Sequence, residues 1–218
     1  MDLNNDGRDD LLIGTGHGYV NYYTRKDDGT LHSEGHMQAG GADIKAEFES
    51  SVAVVDWNGN GLLDLLVGVE EQPLDARYGF VRLYLNKGTA NSPSFSNYSE
   101  ISGGGWSIRA RYPMLELADV NYDGKRDLII GCENLQFNGE YVLYLNSGSN
   151  NASAFSQSSY SNDKLKLQYK GDGGSLKDIS KKNAMMPFLG DINGDGCLDL
   201  LSGGVRIVGL DVYYGSKK

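Results

Sequence analysis

The sequence has few of the residues that fix a fold by covalent or rigid means: 2 Cys and 4 Pro among 218 residues. Two thiols make no disulfide framework, and Cys132 and Cys197 match no zinc spacing. They stand at opposite ends of equivalent strands, which argues against a bridge between them. Positive charge is also scarce. A net charge of −9 excludes the clustered Lys and Arg that a phosphate-binding surface needs, so nucleic acid is not an expected partner. No apolar run approaches the roughly 18 residues of a membrane span, so no membrane insertion is expected. The opening residues lack the basic and apolar regions of a signal peptide and begin inside a motif, as a segment of a longer protein would. Three histidines, His17, His32 and His36, have no carboxylate at a fixed spacing and read as solvated turn residues. No nucleophile elbow or phosphate loop occurs.

Glycine and tyrosine are plentiful instead, at 30 and 14 residues, which suits many short strands joined by tight turns. The chain is also repetitive. One pattern occurs four times: Asp2, Asn4, Asp6, Gly7, Asp10 and Leu11; Asp56, Asn58, Asn60, Gly61, Asp64 and Leu65; Asp119, Asn121, Asp123, Gly124, Asp127 and Leu128; and Asp191, Asn193, Asp195, Gly196, Asp199 and Leu200. The first residues lie 54, 63 and 72 positions apart.

This spacing suits a hard cation. Ca²⁺ takes about six to eight oxygens, and a tight loop offers side chains 1, 3, 5 and 9 and the carbonyl of residue 7. The carbonyl donors are those of Arg8, Leu62, Lys125 and Cys197. Glycine at position 6 permits the sharp turn. The set holds eleven ligand carboxylates, which would repel one another without cations. Four Ca²⁺ carry nearly the charge that would cancel the net −9. Loop two is expected to be the weakest, since Asn58 and Asn60 leave only Asp56 and Asp64 charged. Loop one lacks an entering strand before Asp2.

An EF-hand would need a bidentate Glu at position 12 and flanking helices. Here the loop is followed by a short apolar run and a glycine: Gly14, Gly68, Gly131 or Gly203. Such a run, ended by Gly, predicts a buried strand. A second strand follows, with Tyr23, Tyr84, Tyr144 and Tyr213 in equivalent places, and a third carries Phe95 or Phe155. Apolar or aromatic residues on both faces predict a sheet packed between two others, as in a propeller blade.

These residues resemble the FG-GAP, or VCBS, repeat of integrin α-chain propellers and many bacterial extracellular proteins. The stretches Asn86–Thr89 and Asn146–Ser149 resemble the bacterial form. The resemblance implies an all-β fold: a β-propeller of four-stranded antiparallel blades, the calcium loop joining the first and second strands of each. It implies binding or adhesion more often than catalysis, and a secreted or cell-surface location. The sequence departs from the family at Asn60, where Asp is usual, which puts the second site in doubt.

A single domain over 1–218 is expected, with repeats at about 1–50, 51–112, 113–184 and 185–218. The strand count gives two complete blades flanked by two three-stranded ones, so the ring is incomplete. Open blade edges invite self-association. Three functions stay open: a non-catalytic, calcium-stabilised module for glycan or protein binding; part of a polysaccharide lyase or glycosidase with its catalytic residues elsewhere; and a structural spacer. Segment 102–112 offers Trp106, Arg109, Arg111 and Tyr112 to a sugar or acidic polysaccharide, with burial of Trp106 between blades as the alternative. The insertion at about 156–183 is a further candidate lid or hairpin.

Overall fold

The computed structural model describes residues 1–71, 78–133, 139–157, 168–170, 176–178, 186–203 and 211–215. The described residues form strands and no helix. The first unit is a three-stranded antiparallel sheet of β1 (Leu11–Gly14), β2 (Val20–Arg25) and β3 (Leu31–His36). A small pair, β4 (Gln38–Ala39) and β5 (Ala42–Asp43), leads to the second unit: β6 (Ser50–Val55), β7 (Asp64–Glu71), β8 (Tyr78–Tyr84) and β9 (Ser99–Glu100). A hairpin of β10 (Ser102–Gly103) and β11 (Trp106–Ser107) precedes the third unit: β12 (Arg109–Ala118), β13 (Asp127–Glu133), β14 (Gly139–Asn146) and β15 (Phe155–Gln157). After a pair β16 (Gln168–Lys170) and β17 (Leu176–Asp178) comes the last unit: β18 (Met186–Gly190), β19 (Asp199–Gly203) and β20 (Asp211–Tyr213).

Within each unit neighbouring strands pair antiparallel in chain order. Register places each expected tyrosine opposite the leucine that follows its loop: Leu11 with Tyr23, Leu65 with Tyr84, Leu128 with Tyr144 and Leu200 with Tyr213. Two expectations are corrected here. Phe95 lies in no strand; it makes isolated bridges to Ala39 and Asn86, and Ser99–Glu100 supplies the second unit's last strand. The glycines do not always end the post-loop strand, because β7 and β13 continue past Gly68 and Gly131.

The core follows from a period of two on strands covered on both faces. On β7, Leu65, Val67 and Val69 pack with Leu12, Val20 and Ile44 of the first unit. Leu66, between them, points the other way and packs with Leu128 and Ile130 of the third. On β13, Ile129 in turn packs with Leu189 and Leu200 of the last unit. The units therefore stack face to face, and fully burying each aliphatic side chain contributes about 1.5–3 kcal/mol.

Close approach is possible because two glycines have no side chain. A Cβ on Gly14 would lie 2.2 Å from the Ser50 carbonyl oxygen, and one on Gly68 2.2 Å from that of Pro113. The Ser51 hydroxyl closes the second joint with a 2.5 Å hydrogen bond to Pro113 O. β12 ties the middle units together: Arg109 and Ala110 pair with Phe80 and Gly79 of β8, and Met114–Ala118 pair with β13. The switch between partners is a bulge at Arg111–Met114, where Tyr112 takes φ of 51°.

Candidate metal loops

All four loops join the first two strands of a unit, or precede β1, and they share one backbone conformation. The sixth residue, always glycine, has φ of 84°, 82°, 83° and 79° in chain order. The fourth is also left-handed: Asn5 at 56°, Gly59 at 71°, Tyr122 at 59° and Gly194 at 78°. Asn and Gly take this conformation readily, whereas Tyr122 hides the pattern in the sequence.

The hydrogen bonds repeat as closely. The first Asp accepts from the N–H groups of residues five and six, at 3.0 and 2.8 Å for Asp2, 3.1 and 2.9 Å for Asp56, 2.9 and 2.7 Å for Asp119, and 2.9 and 2.8 Å for Asp191. The Oδ1 atoms of Asn4, Asn58, Asn121 and Asn193 accept from the same fifth N–H. Asp6, Asn60, Asp123 and Asp195 accept from the N–H of Arg8, Leu62, Lys125 and Cys197. Side-chain oxygens 1, 3 and 5 are thus gathered around one turn.

Position 9 is different. Asp10 is 6 % exposed, and Asp64, Asp127 and Asp199 are wholly buried. One oxygen of each accepts from the loop's second N–H, on Leu3, Trp57, Val120 or Ile192. The other accepts from an N–H at or just after the end of the second strand: Arg25, Asn86, Asn146 or Gly215. Burial pushes the carboxyls of Asp64 and Asp127 above the usual range, while these N–H donors pull the other way. Among the described residues no three His, Cys, Asp or Glu side chains converge as a metal group. The reason is visible: position 3 is Asn, position 9 is buried against the strands, and the remaining acids are position 1 and, in every loop but the second, position 5.

The loops also differ. Arg8 lies 2.6 Å from Asp6 Oδ2, and Lys125 lies 3.7 Å from Asp123 Oδ2, so two loops carry an internal cation. The corresponding residues in loops two and four are Leu62 and Cys197. Both Cys132 and Cys197 are buried.

Residues 2–67 match the FG-GAP-like repeat. This segment carries an FG-GAP-like repeat. It is 32 % identical over 117 residues to integrin alpha-4 of Xenopus laevis, which covers 53 % of this chain and 11 % of that protein. It is 32 % identical over 153 residues to the phosphatidylinositol-glycan-specific phospholipase D of Homo sapiens, covering 60 % of this chain and 17 % of that protein. The chain spans less than a fifth of either relative.

Two supports of the loops escape sequence reasoning. Asn86 and Asn146, both 2 % exposed, hold the next turn: Asn86 Oδ1 accepts from Gly88 and Ser94, and Asn146 Oδ1 from Gly148 and Ala154. Their recurrence after the second strand was the available signal. Neighbouring loops are also linked. Arg126 donates to Asp56 O at 2.9 Å, and the Leu198 N–H donates to the Tyr122 hydroxyl at 2.9 Å.

The expected ligand residues fall in unlike surroundings. Segment 102–107 is a hairpin with Gly104 and Gly105 at φ of 64° and 86°, the type of turn that a Gly-Gly pair favours. Arg109 is exposed, with its guanidinium 5.5 Å from the Phe80 ring centre. Arg111 is buried, with its guanidinium 5.3 Å from the ring of half-buried Tyr112. The side chain of Trp106 and most of 156–183 lie outside the described residues. His36 does meet a carboxylate, contrary to expectation: its Nδ1 is 2.9 Å from Asp43 Oδ2, and its ring stacks on Tyr19 at 3.9 Å. That partner comes from β5, paired with Gln38 of β4, and sequence spacing alone does not bring it to His36.

Proposed function

We propose that the chain is a non-catalytic, calcium-stabilised propeller module of a secreted or cell-surface protein, built of four blades at about 1–50, 51–112, 113–184 and 185–218. The observation that carries this reading is the fourfold repetition of one loop conformation, with acceptor oxygens at positions 1, 3 and 5. Hard oxygen donors in a preset turn fit Ca²⁺. Asp2, Asn4 and Asp6, Asp56, Asn58 and Asn60, Asp119, Asn121 and Asp123, and Asp191, Asn193 and Asp195 would hold the ions. The carbonyls of Arg8, Leu62, Lys125 and Cys197 would complete the sets. Asp10, Asp64, Asp127 and Asp199, which brace each loop against its sheet, would supply the ninth-position oxygens.

Loop four should bind most tightly, with two exposed acids at positions 1 and 5 and no internal cation. Loops one and three compete with Arg8 and Lys125, and loop two has the fewest charges. The stacked sheets give a rigid platform, and a glycan or an extracellular protein is the proposed partner. Calorimetric titration with Ca²⁺, repeated on Asp191→Ala, tests the metal: the variant should lose the tightest site. A titration without heat, or one that Asp191→Ala leaves unchanged, would contradict it. A glycan array with Ca²⁺ and then with chelator tests the partner.

The similarity to the phospholipase favours one second reading, a module attached to a catalytic domain outside this chain. Hydrolytic activity that resides in these 218 residues alone would exclude both readings.

A further inference from the structure

Loop two differs from its counterparts in a way that bears on covalent chemistry. Asparagine followed by glycine is the pair most prone to deamidation, because no side chain shields the glycine nitrogen from the asparagine Cγ. Three such pairs lie wholly among the described residues: Asn58–Gly59 and Asn60–Gly61 in loop two, and Asn193–Gly194 in loop four. Loops one and three have Asn4–Asn5 and Asn121–Tyr122 in the place of Asn58–Gly59.

The loop hydrogen bonds treat the three pairs unequally. Ring closure requires the glycine nitrogen to lose its proton and turn its lone pair toward Cγ. The Gly61 N–H donates to Asp56 Oδ2 at 2.9 Å, and the Gly194 N–H to Asp191 Oδ1 at 2.7 Å. A carboxylate held on that proton opposes its loss and fixes the nitrogen. The Gly59 N–H has no such acceptor among the described residues, and Gly59 is exposed.

The side-chain amide that must leave differs as well. Asn193 Nδ2 donates to Asp195 Oδ2 at 3.1 Å, and Asn4 and Asn121 make the same bond at 3.2 Å. In loop two position 5 is Asn60, which offers no carboxylate, and Asn58 Nδ2 has no partner among the described residues. Asn58 Oδ1 does accept from the Asn60 N–H at 3.1 Å. That bond draws electrons from Cγ and supports the charge that attack would place on the oxygen.

We propose that Asn58 is a site of spontaneous deamidation, which remodels loop two as the protein ages. The Gly59 nitrogen bonds to Asn58 Cγ, the bond from Cγ to the side-chain nitrogen breaks, and that nitrogen leaves as ammonia with the Gly59 proton. Water then opens the cyclic imide at either carbonyl. One product is aspartate at 58, which keeps the turn and adds a carboxylate to the loop that has the fewest. The other is isoaspartate, which routes the main chain through the former side chain, lengthens it by one carbon and displaces the position-3 oxygen. The consequence for Ca²⁺ rests on the metal reading of loop two; the covalent step does not.

The test is tandem mass spectrometry of peptides from the full chain, aged in mildly alkaline buffer with excess EDTA so that no ion affects the outcome. Each event adds about 1 Da, and fragment ions separate Asn58 from Asn60. In the folded chain Asn58 should convert about fivefold faster, or more, than Asn60 and Asn193, the worth of one hydrogen bond. In urea the three should convert at similar rates. Gly59→Asn, which gives loop two the Asn-Asn pair of loop one, should slow conversion at Asn58 and leave circular dichroism unchanged. An Asn58 that stays amidated in the folded chain, or converts no faster than Asn60 and Asn193, overturns the proposal. So does the same order of rates in urea, which would assign the preference to sequence neighbours alone.

Discussion

Asp127 shows how one buried side chain sets the position of a loop. It accepts from Val120 inside the loop at 3.2 Å and from Asn146 at the far end of β14 at 2.8 Å. Asp127→Ala leaves two backbone donors without a partner, at about 1–3 kcal/mol each, so urea denaturation should show a loss of several kcal/mol. A loss under 1 kcal/mol would mean that water replaces the carboxylate. Arg8→Ala acts the other way on its loop. It removes the guanidinium from Asp6 and should tighten Ca²⁺ at loop one by about two- to fivefold in calorimetry, the range of an exposed ion pair.

Glu116 is a third residue-level case. It sits on the face of β12 toward the last unit, and burial pushes its carboxyl up to about 7, partly offset by a backbone hydrogen bond from Leu117. The folded chain therefore holds this proton where the unfolded chain has lost it. That stabilisation is full below about pH 4.5 and is lost as pH rises through about 7. Melting temperature should fall between pH 5 and 8, and Glu116→Gln should flatten the fall. An equally steep fall in the variant would place the titrating group elsewhere.

At the level of strands and loops, legibility followed the kind of signal. The post-loop strands were readable because Leu65, Leu66 and Val67 form an unbroken apolar run, which a strand covered on both faces requires. Glycine at position 6 was readable because a turn needs it. The left-handed fourth residue was hidden at Tyr122, and the brace role of position 9 depends on contacts some 20 residues away, such as Asn86 to Asp64. The expected 102–112 loop proved to be a hairpin and the start of β12, despite its Gly-Gly-Gly signal. Gly68 and Gly7 separate two reasons for a glycine. At Gly68 a Cβ meets Pro113 in the next unit, so Gly68→Ala should cost about 1–3 kcal/mol by forcing the sheets apart. Gly7 has open space but φ of 84°, so Gly7→Ala should cost about 1 kcal/mol from backbone strain alone. Equal losses in thermal denaturation would contradict that distinction.

Across the whole molecule, stability comes from the faces between units, and the loops fix how each unit is presented to the next. Leu66 lies in the middle of the largest of these cores, and Leu66→Ala should cost about 2–5 kcal/mol. The loops carry much of the charge that gives the chain its net −9, and they are joined through Arg126 and Tyr122. An ion bound at any of them should therefore stabilise more than its own turn. The most direct test is the melting temperature of the intact chain with excess Ca²⁺ and with excess EDTA. The account predicts a large drop on chelation, restored by added Ca²⁺ but not by Mg²⁺ at the same concentration. An identical melting temperature in both buffers would contradict it, and would leave the loops as hydrogen-bonded turns with no ion.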